Sequence, residues 1–153
     1  MRPILVTAAL TLGLTSGVAT PALAAALQCP QTLTVQAQPE APGGWSPYPG
    51  KDTHSLTGIT LVEGDRATQM TSAAPATLAP DHETPRGRSL VQVWTFDAAR
   101  RENIILVCRY RNTQATLAID LPRHARRCTL TLETDPRGRV IEEPKTPLQL
   151  DCR

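Results

Sequence analysis

Strict alternation of apolar and polar residues is the dominant pattern of this chain. In CTLTLE, residues 128–133, Cys128, Leu130 and Leu132 fall on one side and Thr129, Thr131 and Glu133 on the other; LQLDC, residues 148–152, does the same with Leu148, Leu150 and Cys152. A period of two with one apolar side predicts half-buried strands. ATLAIDL at 115–121 sets Leu117, Ile119 and Leu121 against Thr116, Ala118 and Asp120. RNTQ separates that run from NIILVCRY at 103–110, so residues 104–121 read as a hairpin. The strand sides carrying Leu117, Ile119, Leu130 and Leu150 are expected in the core. SLVQVWTF at 89–96 and NIILVCRY are apolar on both sides, as central strands covered from two directions are, and DAARRE between them reads as a connecting turn.

TLTV at 32–35 and SLTGITLVEG at 55–64 add two strands, the second ending in the turn Glu63-Gly64-Asp65. Two long stretches have no period. AQPEAPGGWSPYPGKD at 37–52 is a loop rich in proline and glycine, and residues 66–88 read mainly as an excursion with room for a short helical turn between its prolines, the one helical alternative lying within 66–79, where Pro75 interrupts the pattern. About seven strands and no strong helix predict an all-β fold, an antiparallel β-sandwich or small barrel of six to eight strands.

The N-terminal segment changes the compartment. Arg2, an apolar stretch from Ile4 to about Val18, and Ala22-Leu23-Ala24 after Pro21 have the layout of a secretory signal peptide. The apolar stretch is shorter than the ~20 residues that span a bilayer, so no transmembrane anchor is expected after cleavage. Cleavage is expected after Ala24, with Ala26 as the alternative; residues 1–24 are then a signal and 25–153 a single domain exported to the periplasm or beyond. The chain carries 16 Lys and Arg against 14 Asp and Glu. One of the basic residues, Arg2, leaves with the signal, so the mature part is close to neutral.

All four cysteines, Cys29, Cys108, Cys128 and Cys152, lie in the mature part. An even count behind an export signal predicts two disulfides, and the wide spacing lacks the close ligand pairs of a zinc site. Three connectivities exist. The alternating patterns around Cys128 and Cys152 suggest that they face each other across an antiparallel pair, leaving Cys29 for Cys108. The rival arrangement, Cys29 with Cys152 and Cys108 with Cys128, clips the chain ends together.

Several features taken together carry a resemblance: Cys29-Pro30 before an alternating strand, Gly44-Trp45, Leu56 to Gly64-Asp65, Trp94-x-Phe96, Cys108-x-Tyr110, Leu121-Pro122, Cys128 and Asp151-Cys152-Arg153. In the order and spacing of these residues the chain resembles a family of small exported proteins of Gram-negative bacteria to which no activity is attached. The resemblance implies a compartment and a fold, and transfers no catalytic residue. A longer proline-rich insert around 66–88 and an arginine-rich turn set this chain apart from that pattern.

No catalytic constellation is legible. His54, His82 and His124 stand in polar or loop-like settings and there is no G-x-S-x-G elbow, so the reading is a non-enzymatic protein without metal or cofactor. Trp94 and Phe96 are expected in the core. Two loop features remain for recognition. Trp45 and Tyr48 sit among prolines and glycines, either as a recognition loop or as a lid folded onto the core. Arg123, Arg126 and Arg127, with His124, form a basic turn suited to a carboxylate, phosphate or lipopolysaccharide, or else an ordinary solvated turn. Nucleic acid is not expected, because the aromatics are not interleaved with basic residues. The leading function is therefore an envelope binding module whose partner is a protein or an anionic envelope component. The alternatives are an inhibitor of a lysozyme-like or other envelope hydrolase, and an enzyme with a site assembled across loops.

Overall fold

The computed structural model describes residues 27–153 apart from 38, 49 and 143; the expected signal peptide and its cleavage point lie outside the described residues. Among the described residues, ten strands run in chain order: β1 Leu27–Gln28, β2 Thr32–Ala37, β3 Gly50–Glu63, β4 Thr77–Leu78, β5 His82–Arg86, β6 Ser89–Thr95, β7 Ile104–Tyr110, β8 Thr116–Asp120, β9 Arg127–Glu133 and β10 Gln149–Cys152. Among the described residues one short helix, α1 Arg66–Thr71, follows β3. The first sheet has the order β1-β10-β9-β6-β5 and the second β2-β3-β7-β8, with β4 alongside β3. Every pairing is antiparallel.

The alternating side chains meet between the sheets. Trp94, Cys128, Leu130 and Leu150 of the first sheet, with Leu148 just before β10, pack with Leu56, Leu61, Ile104, Leu106 and Cys108 of the second, and Phe96 sits partly buried against them. Strand β7 is apolar on both sides because both are covered. Ile105 and Val107 point away from the main core and join Val62 in a second cluster, beside α1 and the 72–77 segment. Burying a leucine or isoleucine side chain contributes roughly 1.5–3 kcal/mol, so this layer organises the fold. Leu130→Ala, at 2% exposure, is expected to lower unfolding stability by about 2–5 kcal/mol in urea titration.

Cys29 is bonded to Cys108 and Cys128 to Cys152. The first bridge ties the segment after β1 to β7 and so joins the sheets. The second lies within one sheet, between directly opposed residues of β9 and β10. Tyr110 Oη supports the first bridge by donating to the Pro30 carbonyl (3.1 Å), and burial raises its pKa, which keeps the donor proton in place.

DAARRE forms the connecting turn between β6 and β7, with its bend at Ala98 and Ala99, and carries the chain from one sheet to the other. Three expectations change. Residues 66–88 are not a plain excursion, since they hold α1, β4 and β5. Strand β5, HETPR, is exposed along its whole length and pairs only with β6, so it has no apolar period to announce it. Leu117 and Ile119 are not core residues: they are 37% and 48% exposed, because β8 is an edge strand. Finally, β3 starts five residues earlier than its apolar pattern.

Helix α1 is too short to stand alone. The Asp65 carboxylate caps it, accepting from Thr68 N and Oγ1 at 2.9 Å each. Gly64 adopts φ +124°, and a Cβ there would come within 2.7 Å of the Gln69 side chain, so only glycine suits this entry to the helix.

Carboxylates pin the loops in the same way. Asp81 accepts from the Thr95 hydroxyl and backbone N–H, Glu133 from Thr146, and Asp135 from the Arg139 and Arg137 backbones; with Asp65, all four are held below the ordinary carboxylate range by these hydrogen bonds. A carboxyl group whose folded pKa is depressed stabilises the fold above its unfolded value, near 4, and loses that contribution as pH falls through the folded one. The melting temperature should therefore be flat from about pH 5 to pH 8 and decline below about pH 4. Asp81→Asn should make that decline shallower in calorimetric scans; an unchanged profile would show that these bonds do not stabilise the fold.

Candidate functional site

Two groups of exposed side chains stand out, one at each end of the sandwich. At one end β2 and the first half of β3 form a two-stranded ribbon, with Thr32 opposite Ser55 and Ala37 opposite Gly50. Pairing of β3 with β7 begins only at Leu56, opposite Tyr110. Six residue pairs thus project past β7, an arm of about 20 Å at the usual rise per residue. His54 Nδ1 donates to the Arg111 carbonyl (2.9 Å) and Arg111 N to the Ser55 carbonyl (2.9 Å), which fixes the arm at its base.

The tip is a tight turn. Trp45 N donates to the Pro42 carbonyl at 3.0 Å across Gly43 and Gly44, and Gly44 has φ +85°, the backbone that the third residue of a type II turn requires. Trp45 is 77% exposed and Tyr48 92% exposed. Trp45 is therefore not a lid on the core. Both aromatics stand in solvent on a backbone that Pro39, Pro42 and Pro47 restrict.

The opposite end is basic. Arg123, His124, Arg126 and Arg127 are all exposed on the turn between β8 and β9, while Ala125 is buried and anchors it. The structure adds a residue that the run of arginines does not contain. Arg100, from the link between β6 and β7, donates Nη1 to the Ala125 carbonyl (2.7 Å) and Nη2 to the Pro122 carbonyl (3.2 Å), with its guanidinium 4.9 Å from the centre of the Phe96 ring. Burial lowers its pKa, and the neighbouring charges of Arg126 and Arg123 lower it further. The backbones of Arg127 and Arg153 exchange hydrogen bonds of 3.0 Å, which fixes the turn to the end of β10.

These two groups do not come together. The arm tip lies beyond the Gly50 end of β3, whereas Gly64 N at the other end bonds to Asn103 O, beside the link that carries Arg100. Thirteen residue steps of strand separate those ends, about 43 Å. Other chemistry is sparse. His82 and His124 are exposed, and among the described residues no three His, Cys, Asp or Glu side chains are placed to hold a metal. A cavity of about 200 Å³ near the basic end is lined by Glu63, Asp81, Trp94, Phe96 and Arg100, and its Asp81 carboxylate is already engaged by Thr95.

The fold is thus a disulfide-stapled antiparallel β-sandwich with exposed aromatics on an arm and exposed arginines on a turn. The chain belongs to the Type VI secretion system Tli immunity protein family, whose model matches residues 50–153. The match begins at the first residue of β3, so Trp45 and Tyr48 precede it and the arginine turn lies within it. The chain is also similar to an uncharacterized 16.3 kDa protein encoded in the trpG 5′ region of Azospirillum brasilense, with 61% identity over 140 residues, covering 92% of this chain and 93% of that protein. No solved structure matches significantly.

Proposed function

We propose that the protein is an envelope immunity factor: residues 1–24 direct export, residues 25–153 fold and oxidise as one domain in the periplasm, and the folded domain neutralises a secreted effector by binding it. The reaction is one of occupancy and not of catalysis. Family membership favours an inhibitor of a toxic protein over a general envelope binding module, and two disulfides suit an oxidising compartment. The observation that carries the contact is the exposed aromatic pair at the arm tip, 77% and 92% exposed on a restrained turn. Rigid tryptophan and tyrosine side chains bring large contact area at low entropic loss, and they dominate the binding energy of interfaces that contain them.

A strain lacking this chain should be outcompeted by its own Type VI-armed parent and rescued by the full-length chain. A version without residues 1–24, retained in the cytoplasm, should not rescue. Equal survival of the deletion strain, or full rescue from the cytoplasm, would sink the proposal.

A further inference from the structure

Among the described residues each sheet ends in two edge strands, β1 and β5 in the first and β2 and β8 in the second. An edge exposes main-chain donors and acceptors that another chain can pair with, and folded proteins protect it with short strands, charge, proline or a covering group. Three of these edges are protected in that way. Strand β1 is two residues long, and β5 carries Pro85 together with His82, Glu83 and Arg86. Arg66 reaches over β8, donating Nη1 to the Ala118 carbonyl (3.4 Å) with Nε 3.8 Å from the Asp120 carboxylate. Strand β2, TLTVQA, is six residues long and has neither charge nor proline. Leu56 N donates to the Gln31 carbonyl (2.8 Å), so in the antiparallel register Leu33, Val35 and Ala37 turn their main chain to β3, whereas Thr32, Thr34 and Gln36 turn theirs outward. Those three residues are exposed, and among the described residues no group meets their main chain on the outward side.

We infer that β2 pairs with β2 of a second copy of this chain, antiparallel about a two-fold axis at Thr34. An open edge selects an extended main chain as its occupant, and the order of residues selects the copy. The register centred on Thr34 joins the outward groups of both strands, setting Thr34 against Thr34 of the second copy, Thr32 against Gln36, and Leu33 against Val35. Polar side chains then meet polar ones on one side of the ribbon and aliphatic ones meet on the other, where Leu33 already packs against the main core. No like charges are brought together, because β2 has none. A foreign strand would need its own matching order, whereas TLTVQA supplies both halves. Such a contact uses the same surface on each chain and closes at two. The inference goes beyond the immunity reading and is tested without an effector.

The oxidised protein, purified from cells expressing the full chain, is followed by sedimentation equilibrium from about 1 μM to 1 mM, the range in which small interfaces exchange. The mass is expected to rise from one chain to two, and the amide hydrogens of Thr32, Thr34 and Gln36 to exchange more slowly at the upper end of the range. Thr34→Lys and Thr34→Asp each place like charges on the axis and should weaken association roughly ten-fold or more. An equimolar mixture of the two variants should restore it, because the axis then carries opposite charges. Thr34 is exposed, so the melting temperature of each variant should match the parent's, which excludes loss of fold as the cause. A single-chain mass over the whole range would overturn the inference. So would a dimer that both variants leave intact, or one that the mixture fails to restore. Protection confined to amides of β8, beside the exposed Leu117 and Ile119, would overturn it as well and hand the contact to that edge.

Discussion

Replacing Cys29 and Cys108 together by alanine should destabilise the oxidised protein by about 4–5 kcal/mol, the chain-entropy value for a loop of this length. The two cysteines are 79 positions apart, against 24 for Cys128 and Cys152. Removing the second pair should lose nearer 3.5 kcal/mol on the same basis. The difference is reinforced by position, because the first bridge joins the two sheets whereas the second joins strands that already exchange backbone bonds. A domain of this size has about 5–15 kcal/mol in all, so the first double variant should lose from about a third to nearly all of its stability. Urea titrations of both variants decide the matter. A larger loss from the Cys128 and Cys152 pair would show that the inter-sheet staple is not the principal one.

The second large effect concerns function. Trp45→Ala with Tyr48→Ala should abolish protection in competition assays while leaving the melting temperature unchanged, because neither side chain packs into the core. Truncating a pair of aromatic anchors weakens binding by about 2–4 kcal/mol each where they are hot spots, a loss of several hundred-fold or more for two. Arg123→Ala with Arg126→Ala in the same assay should act mainly at low ionic strength. If the aromatic variant still protects fully, the arm is not the contact.

How far the sequence revealed this molecule can be traced residue by residue. The alternation in CTLTLE and LQLDC put Cys128 and Cys152 on corresponding sides of two strands, and those strands are neighbours with the two cysteines opposed. A period of two reports which residues share a side. It does not report whether another sheet reaches far enough to cover that side, which is why Leu117 and Ile119 read as core and are exposed. Strand β5 and the first half of β3 were invisible for a related reason. HETPR and GKDTHS pair through the backbone, and main-chain hydrogen bonding leaves no mark on side-chain pattern. The tip aromatics and the arginine run were legible as loops with unusual chemistry. Arg100 was not, because nothing local in DAARRE says that the link folds back beneath a turn more than twenty residues downstream.

The arm also determines how the protein can change over generations. Its strands are joined to each other by main-chain bonds and to the body only at its base, so residues 39–48 can be rewritten without repacking the core. Lengthening is tolerated as well, since doubling a flexible loop adds only about 0.6 kcal/mol of closure entropy. On the proposed immunity reading, the part of the chain that must stay constant for folding is thereby kept apart from the part that would meet an effector. A lineage whose adversary alters its surface can answer with substitutions at the tip alone, and each answer inherits a scaffold that already folds.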